Sequence, residues 1–344
     1  MMPAIKTQFP QADDICYLNH AAVSPWPLST AKAVQDFAQE NVVRGAQHYP
    51  KWLKQEQQLR QNLKTLIHAD STDEIALAKS TSEALSIIAY GINWQNGDEV
   101  IISNMEFPSN RIVWESLAQF GVKLVVADIQ HTDPVDSILA KLSSKTKLVA
   151  ISSVQYTNGL SVDLEKLSDA CRSNNTLLCV DAIQSLGAVP LNQSVIQADF
   201  IVADGHKWLM AAEGLALMYI KKEHIQSLKL HQYGWHMVAD RGNYDTKIWQ
   251  PADTAMRFEC GSPNMLGIHA LNASLKLILE LGVEAIFQQL QSRVKFLEKN
   301  LRDLKGISFN SPTSGTPQSG IINFSFSNQD SDSLYKALMS RGVI

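Results

Sequence analysis

The chain has few cysteines, no long apolar run and no excess of positive charge, and each shortage removes a class of protein. Its 344 residues contain only Cys16, Cys171, Cys179 and Cys260, none in a CxxC pair, which argues against a zinc site and against a disulfide framework. No apolar stretch approaches the length of a membrane span, and the N-terminal "MMPAIKTQFPQADD" lacks the apolar core of a signal peptide, so a cytoplasmic protein without membrane partners is expected. A formal net charge of -4 and a pI near 6.1 leave no electrostatic footprint for nucleic acid. Neither G-x-x-x-x-G-K-[ST] nor G-x-G-x-x-G follows an apolar run, which withdraws support from nucleoside triphosphates and dinucleotides. What is present is 45% hydrophobic content, enough to fill one large domain and a smaller one.

Between about residues 74 and 220, short apolar runs alternate with helical-period segments, the pattern of a largely parallel sheet covered on both faces. Strands are expected at "EIALA", "DEVIIS", "VKLVVAD", "KLVAISS", "TLLCVD", "DFIVAD" and "LALMYI". This predicts an α/β protein with a mostly parallel seven-stranded sheet in the large domain. Residues 221–256 read as a long irregular excursion, 265–302 as a long amphipathic helix, and "SGIINFSFS" with "DSDSLYKALMSRGV" as strand then helix. "SPTSGTPQSG" reads as a loop. The expected division is an N-terminal segment 1–25 packing with the small domain, a large domain 26–255 and a smaller C-terminal α+β domain 256–344.

Polar clusters follow the apolar runs, and in open α/β sheets the ligand site lies outside the carboxyl ends of the strands. Ser80-Thr81-Ser82-Glu83 opens a helix, so it is either an anion site or a plain capping box with the S-x-x-E spacing. Asp181 closes an apolar strand, where a carboxylate is costly unless paired; a capping role for the next helix is the alternative. Phe107 is either a core aromatic or a ring laid against a flat cofactor. His206 has no second His, Cys or carboxylate at metal-ligand spacing, so no metal is expected. Lys207 stands just past "DFIVAD", where desolvation turns a lysine amine into a nucleophile at neutral pH. In combination, an anion site, a strand-end Asp181, Gln184 three residues on and Lys207 26 residues beyond the Asp match a pyridoxal phosphate site.

The stretch "CVDAIQSLGAVPLN…ADFIVADGHKWL…EGLALMYI", with "STSEAL", "EFPSN" and "RFECGSPNMLGIHAL", resembles a class V aminotransferase of the cysteine desulfurase type, within the fold-type I pyridoxal phosphate enzymes. The resemblance runs from "YLNHAAVSP" at 17–25 through "SRGVI" at the end. It implies that Lys207 is the Schiff-base lysine and proton shuttle, Asp181 the partner of the pyridine nitrogen, and Gln184 a contact of the ring hydroxyl. It further implies that Thr81, Ser82 and His206 hold the phosphate, that Phe107 stacks on the ring and that Asn158 lies on its hydroxyl side. Ser262 resembles a residue that completes the neighbouring subunit's phosphate site, which implies a homodimer with shared active sites. Several positions depart from the pattern. Phe107 stands where desulfurases stack a histidine, as in the kynureninase and isopenicillin N epimerase branches. Asp204 stands where a phosphate-binding serine is common and is expected to point away. "LMAAEG" is poorer in glycine than the family, which suggests a looser loop, and the sequence reaches Ile344 before the family's carboxylate arginine and mobile cysteine.

The resulting expectation is an enzyme acting on an amino acid substrate, with transamination leading because it needs only Lys207 as acid and base. Desulfuration, selenocysteine lyase-type or other β-elimination comes second and epimerisation third; a non-catalytic dimeric binding module is the competing class. His20, His236 and Arg257 are the candidate substrate residues, with Arg257 a possible carboxylate clamp. Cys260, beside Ser262, is the nearest thiol, and a structural role is the simpler account of it.

Overall fold

The computed structural model describes residues 5–130, 133–245, 247–312 and 318–344. All seven apolar runs form strands of one sheet: β1 (Ile75–Ala78), β2 (Glu99–Ser103), β3 (Lys123–Ala127), β4 (Thr146–Ser152), β5 (Leu177–Asp181), β6 (Phe200–Asp204) and β7 (Ala216–Ile220). Their order is β1-β7-β6-β5-β4-β2-β3. The strands from β3 to β6 pair in parallel, while β7 runs antiparallel to both β6 and β1. The β6–β7 connection therefore returns directly on itself, and it carries Lys207.

The helices of seven residues or more are α1 (Leu28–Arg44), α2 (Tyr49–Ile67), α3 (Thr81–Gly91), α4 (Ser109–Glu115), α5 (Leu164–Ser173), α6 (Met265–Leu281), α7 (Val283–Arg302) and α8 (Ser331–Met339). They cover both sheet faces, which is why the central strands are apolar without a break. Along β6, Ile201 and Ala203 enter a core shared with Leu59 and Leu63 of α2, Leu167 of α5 and Leu271 and Leu275 of α6. Phe200 and Val202 point to the opposite core, with Leu85 and Ile88 of α3 and Val113 and Trp114 of α4. The alternation follows from the period-two geometry of a strand.

Three local expectations need correction. The single helix over 265–302 is two helices, because Gly282 adopts φ 77°, a left-handed conformation open to glycine, and its N–H closes α6 on the Ile278 carbonyl. The loop after Lys207 is tightly wound despite its shortage of glycine. Met210 takes φ 53° and donates to the Lys207 carbonyl, while Ala211 donates to that of Gly205, an arrangement that costs a non-glycine residue about 1 kcal/mol. Helix α6 also joins the core of the large unit, although it lies beyond residue 256.

A small antiparallel pair, β8 (Ile307–Phe309) and β9 (Phe324–Phe326), stands with α7 and α8 at the C-terminal side. Residues 313–317 of the expected loop lie outside the described residues. The N-terminal segment bonds to the far end of the chain: Cys16 N–H donates to the Gly342 carbonyl and Leu18 N–H to that of Ile344, both at 2.7 Å. The same segment then reaches the centre of the molecule, where Ser24 N–H donates to the His206 carbonyl at 2.9 Å. Among the described residues no helix is long and apolar enough to cross a membrane.

Candidate active site

The carboxyl ends of β5 and β6 place Asp181 and Asp204 side by side with Lys207, and all three are buried, at 2%, 6% and 8% exposure. They stand in a cleft of about 590 Å³. Its other walls come from Asn19, Ala21, Ala22 and Val23 of the N-terminal segment, from Ser80, Thr81 and Ser82 at the start of α3, from Phe107 and Ser109, and from Tyr156, Ile183, Gln184, His206 and Glu213.

Burial lowers the affinity of Lys207 for its proton, and the charges of Asp181 and Asp204 only partly oppose this. Burial pushes Asp181 the other way, up to about 7; the Ile183 N–H, 3.0 Å from its Oδ1, and Lys207 counter that rise, while Glu106 and Asp204 add to it. Burial thus draws the amine and the carboxyl toward their neutral forms in one pocket, the perturbation expected where proton transfer is the task. The Lys207 ammonium position lies 5.4 Å from the centre of the Phe107 ring, and Tyr156 meets that ring edge-on at 5.1 Å.

At the α3 start only the serine half of the expected capping box is formed, because the Glu83 carboxylate accepts from Lys79 N–H instead of Ser80 N–H. The Ser80 hydroxyl caps the helix by accepting from Glu83 N–H, at 3.2 Å. Thr81 and Ser82 still face the cleft, where Thr81 accepts from Asp204 N–H at 3.1 Å and Ser82 donates to Ser109 at 2.8 Å. Asp204 turns toward the next loop residues, its Oδ1 2.9 Å from His206 Nδ1. The pair is close enough for an ion pair but poorly directed, so both atoms are buried without a hydrogen bond. Gln184 is held from two sides, donating to the Ala21 carbonyl at 2.9 Å and accepting from the Trp208 indole at 3.0 Å.

Thr81, Ser82, Phe107, Asp181, Gln184, His206 and Lys207 are thus brought together in one cleft. The other expected residues lie elsewhere. Asn158 is tied into its own turn, accepting from Leu160 N–H and donating to the Asn310 carbonyl. Ser262 is exposed and lines a separate cavity of about 410 Å³ together with Cys260. His236 is buried between the Glu259 carbonyl and Arg241, and Arg257 bonds the Gln226 side chain, so neither faces the cleft. His20 stacks on Trp208, with ring centres 5.9 Å apart, one residue beyond the wall. Tyr156, Glu213 and Ser109 were not singled out in the sequence, although Tyr156 and Ser109 belong to polar clusters that follow strands. All four cysteines lie outside the lining, and burial raises Cys171 to about 12 and Cys179 also well above the usual thiol range.

A floor acid, a desolvated lysine beside an aromatic ring, and hydroxyls at a helix start define the class: an α/β enzyme whose cleft suits a flat, anionic cofactor. The family model for aminotransferase class-V matches residues 16–344, and the chain belongs to that family. It is 27% identical over 337 residues to a probable cysteine desulfurase of Halalkalibacterium halodurans, covering 93% of this chain and 81% of the relative. Solved structures with the same fold include a cysteine desulfurase from Thermococcus onnurineus, at TM-score 0.88 and 23% identity over 99% of this chain and 86% of that one. A cystine C–S lyase solved with its reaction product cysteine persulfide superposes at TM-score 0.89 and 23% identity, over 98% of this chain and 91% of that one.

Proposed function

We propose that this chain is a pyridoxal phosphate-dependent lyase that breaks the C–S bond of a cysteine-derived amino acid by β-elimination. The observation that carries the cofactor reading is the buried Lys207–Asp181 pair at the strand ends. The residues present fit the group: Asp181 offers a carboxyl to a pyridine nitrogen, Phe107 a face to the ring, and Thr81, Ser82 and the α3 start an anion site. When bound, pyridoxal phosphate supplies an electron sink next to the substrate α-carbon.

The rest of the chemistry falls to the protein. Lys207, whose burial lowers its affinity for a proton, takes the α-proton, and the electron pair released at the α-carbon expels the β-sulfur. With cystine and water the balance is pyruvate, ammonia and cysteine persulfide, with no external oxidant or reductant. The choice of C–S cleavage over the transamination that the sequence put first rests on the relatives, named as cysteine desulfurases, and on the lyase that shares the fold. Elimination is placed first on the C–S lyase that shares the fold and was solved with cysteine persulfide, and desulfuration, the activity named for the relatives, is the second reading. A homodimer belongs to the same proposal, supported by the exposed position of Ser262 outside its own cleft. So does a cytoplasmic location.

The test is incubation of the loaded protein with L-cystine, L-cysteine and L-alanine plus a keto acid. Pyruvate and persulfide from cystine support elimination. Alanine and sulfide from cysteine indicate desulfuration, and amino-group transfer without sulfur release refutes the proposal in favour of transamination.

A further inference from the structure

Glu106 is a buried acid beside the cleft that the proposed reaction does not use. It lies in the turn between β2 and α4, one residue before Phe107, and is buried. Its Oε1 accepts from Ser103 Oγ at 2.8 Å and Gln155 Nε2 at 2.9 Å. Its Oε2 accepts from Asn110 Nδ2 at 2.8 Å and Ser152 Oγ at 2.5 Å, and the Ser152 N–H lies 3.1 Å from both oxygens. This is the donor set that suits an ionised carboxyl, and none of these donors carries a charge to cancel it.

Two features connect Glu106 with the chemistry. Ser152, gripped through main chain and hydroxyl, is the register partner of Asp181 across β4 and β5, and Ser153 N–H donates to the Asp181 carbonyl at 3.0 Å. Because β5 lies between β4 and β6, Glu106 addresses Asp181 from the β4 side, whereas Asp204 and Lys207 reach it from the β6 side. We propose that Glu106 is a positioning residue: it locks the Phe107 turn onto the end of β4 and sets a carboxyl, fixed by its donors, beside Asp181.

The ionisable groups around Asp181 are Glu106 from the turn after β2, Asp204 and Lys207 from the end of β6, and Cys179 on its own strand; His206 pairs with Asp204. Burial is the main reason that Asp181 keeps its proton, the Ile183 N–H works against it, and among the neighbouring charges Glu106 acts most strongly. The consequence for a bound ring rests on the pyridoxal phosphate reading: a more basic Asp181 keeps the pyridine nitrogen protonated, the state in which the ring withdraws electrons. The effect on Asp181 itself needs no cofactor.

The experiment is carboxyl-carbon NMR of the apoprotein against pH, with signals assigned from Glu106→Gln and Asp181→Asn. In Glu106→Gln the Asp181 midpoint falls by about one pH unit relative to the wild type. Glu106→Asp, which keeps the charge, stays close to the wild type. A wild-type Glu106 that carries a proton while Asp181 titrates overturns the proposal without needing any variant to fold; so does an unmoved midpoint in folded Glu106→Gln. With labelled pyridoxal phosphate bound, nitrogen NMR should show the ring protonated to higher pH in the wild type than in Glu106→Gln. Failure of the wild type to bind refutes the cofactor reading, and the apoprotein titration still decides the role of Glu106.

Discussion

Replacing Asp181 by asparagine removes a buried acid whose proton affinity differs between the folded and unfolded chain, so its effect on stability must vary with pH. In the folded protein the carboxyl is raised from an ordinary 3.8 to about 7, chiefly by burial. The folded state thus holds a proton that the unfolded chain releases earlier. Its contribution is fully present below about pH 4, falls as pH rises through that window and is lost by about pH 7. Three pH units at about 1.36 kcal/mol each set the cost to the apoprotein at about 4 kcal/mol at pH 8, and about 2 kcal/mol at pH 5, where only the first part of the window has been crossed. Asparagine keeps the shape and the acceptor for the Ile183 N–H but does not titrate. Urea unfolding of the Asp181→Asn apoprotein should therefore show a gain of up to about 4 kcal/mol at pH 8 that shrinks toward pH 5. Loss of the ion attraction to Lys207 makes this an upper bound. A variant less stable than the wild type at pH 8, or a difference independent of pH, would refute the reasoning.

Two further outcomes follow from the packing. Arg60 holds Glu56 and Glu259 at 2.7 Å each and donates to the Ile75 carbonyl at 2.8 Å, all buried. Burial would lower its proton affinity, but the two carboxylates outweigh this and keep it charged; Arg60→Met, which strands both acids, should cost about 3–5 kcal/mol in denaturant unfolding. Among the thiols, iodoacetamide at pH 8 should modify Cys16 and Cys260 in the folded protein and leave Cys171 and Cys179 untouched, as read by peptide mass mapping; rapid modification of Cys179 would contradict its placement in the core.

The sheet was legible in the sequence because its strands are buried on both faces, which writes them as uninterrupted apolar runs between polar clusters. The cleft was legible for the same reason, since each cluster at a strand end lands on one edge: Asp181, Phe107 and Lys207 are examples. Residues whose fate is decided by partners far along the chain were not. His236 in the excursion and Arg257 just after it have the chemistry of a substrate site, yet Arg241 and Gln226 hold them in place. Glu106 was visible as one letter of "EFPSN", but its grip on Ser152 across the sheet needs the register of β4. The antiparallel return of β7 was also hidden, because a buried antiparallel strand carries the same apolar pattern as a parallel one.

The central claim is that Lys207 carries the cofactor. Purified protein incubated with pyridoxal phosphate, reduced with borohydride and digested should yield a pyridoxyl-modified peptide with the label on Lys207, and the visible absorption band should disappear on reduction. The Lys207→Ala variant should fold and bind the cofactor without a band that reduction traps. A protein that takes up no pyridoxal phosphate, or one labelled at another lysine, would contradict the account.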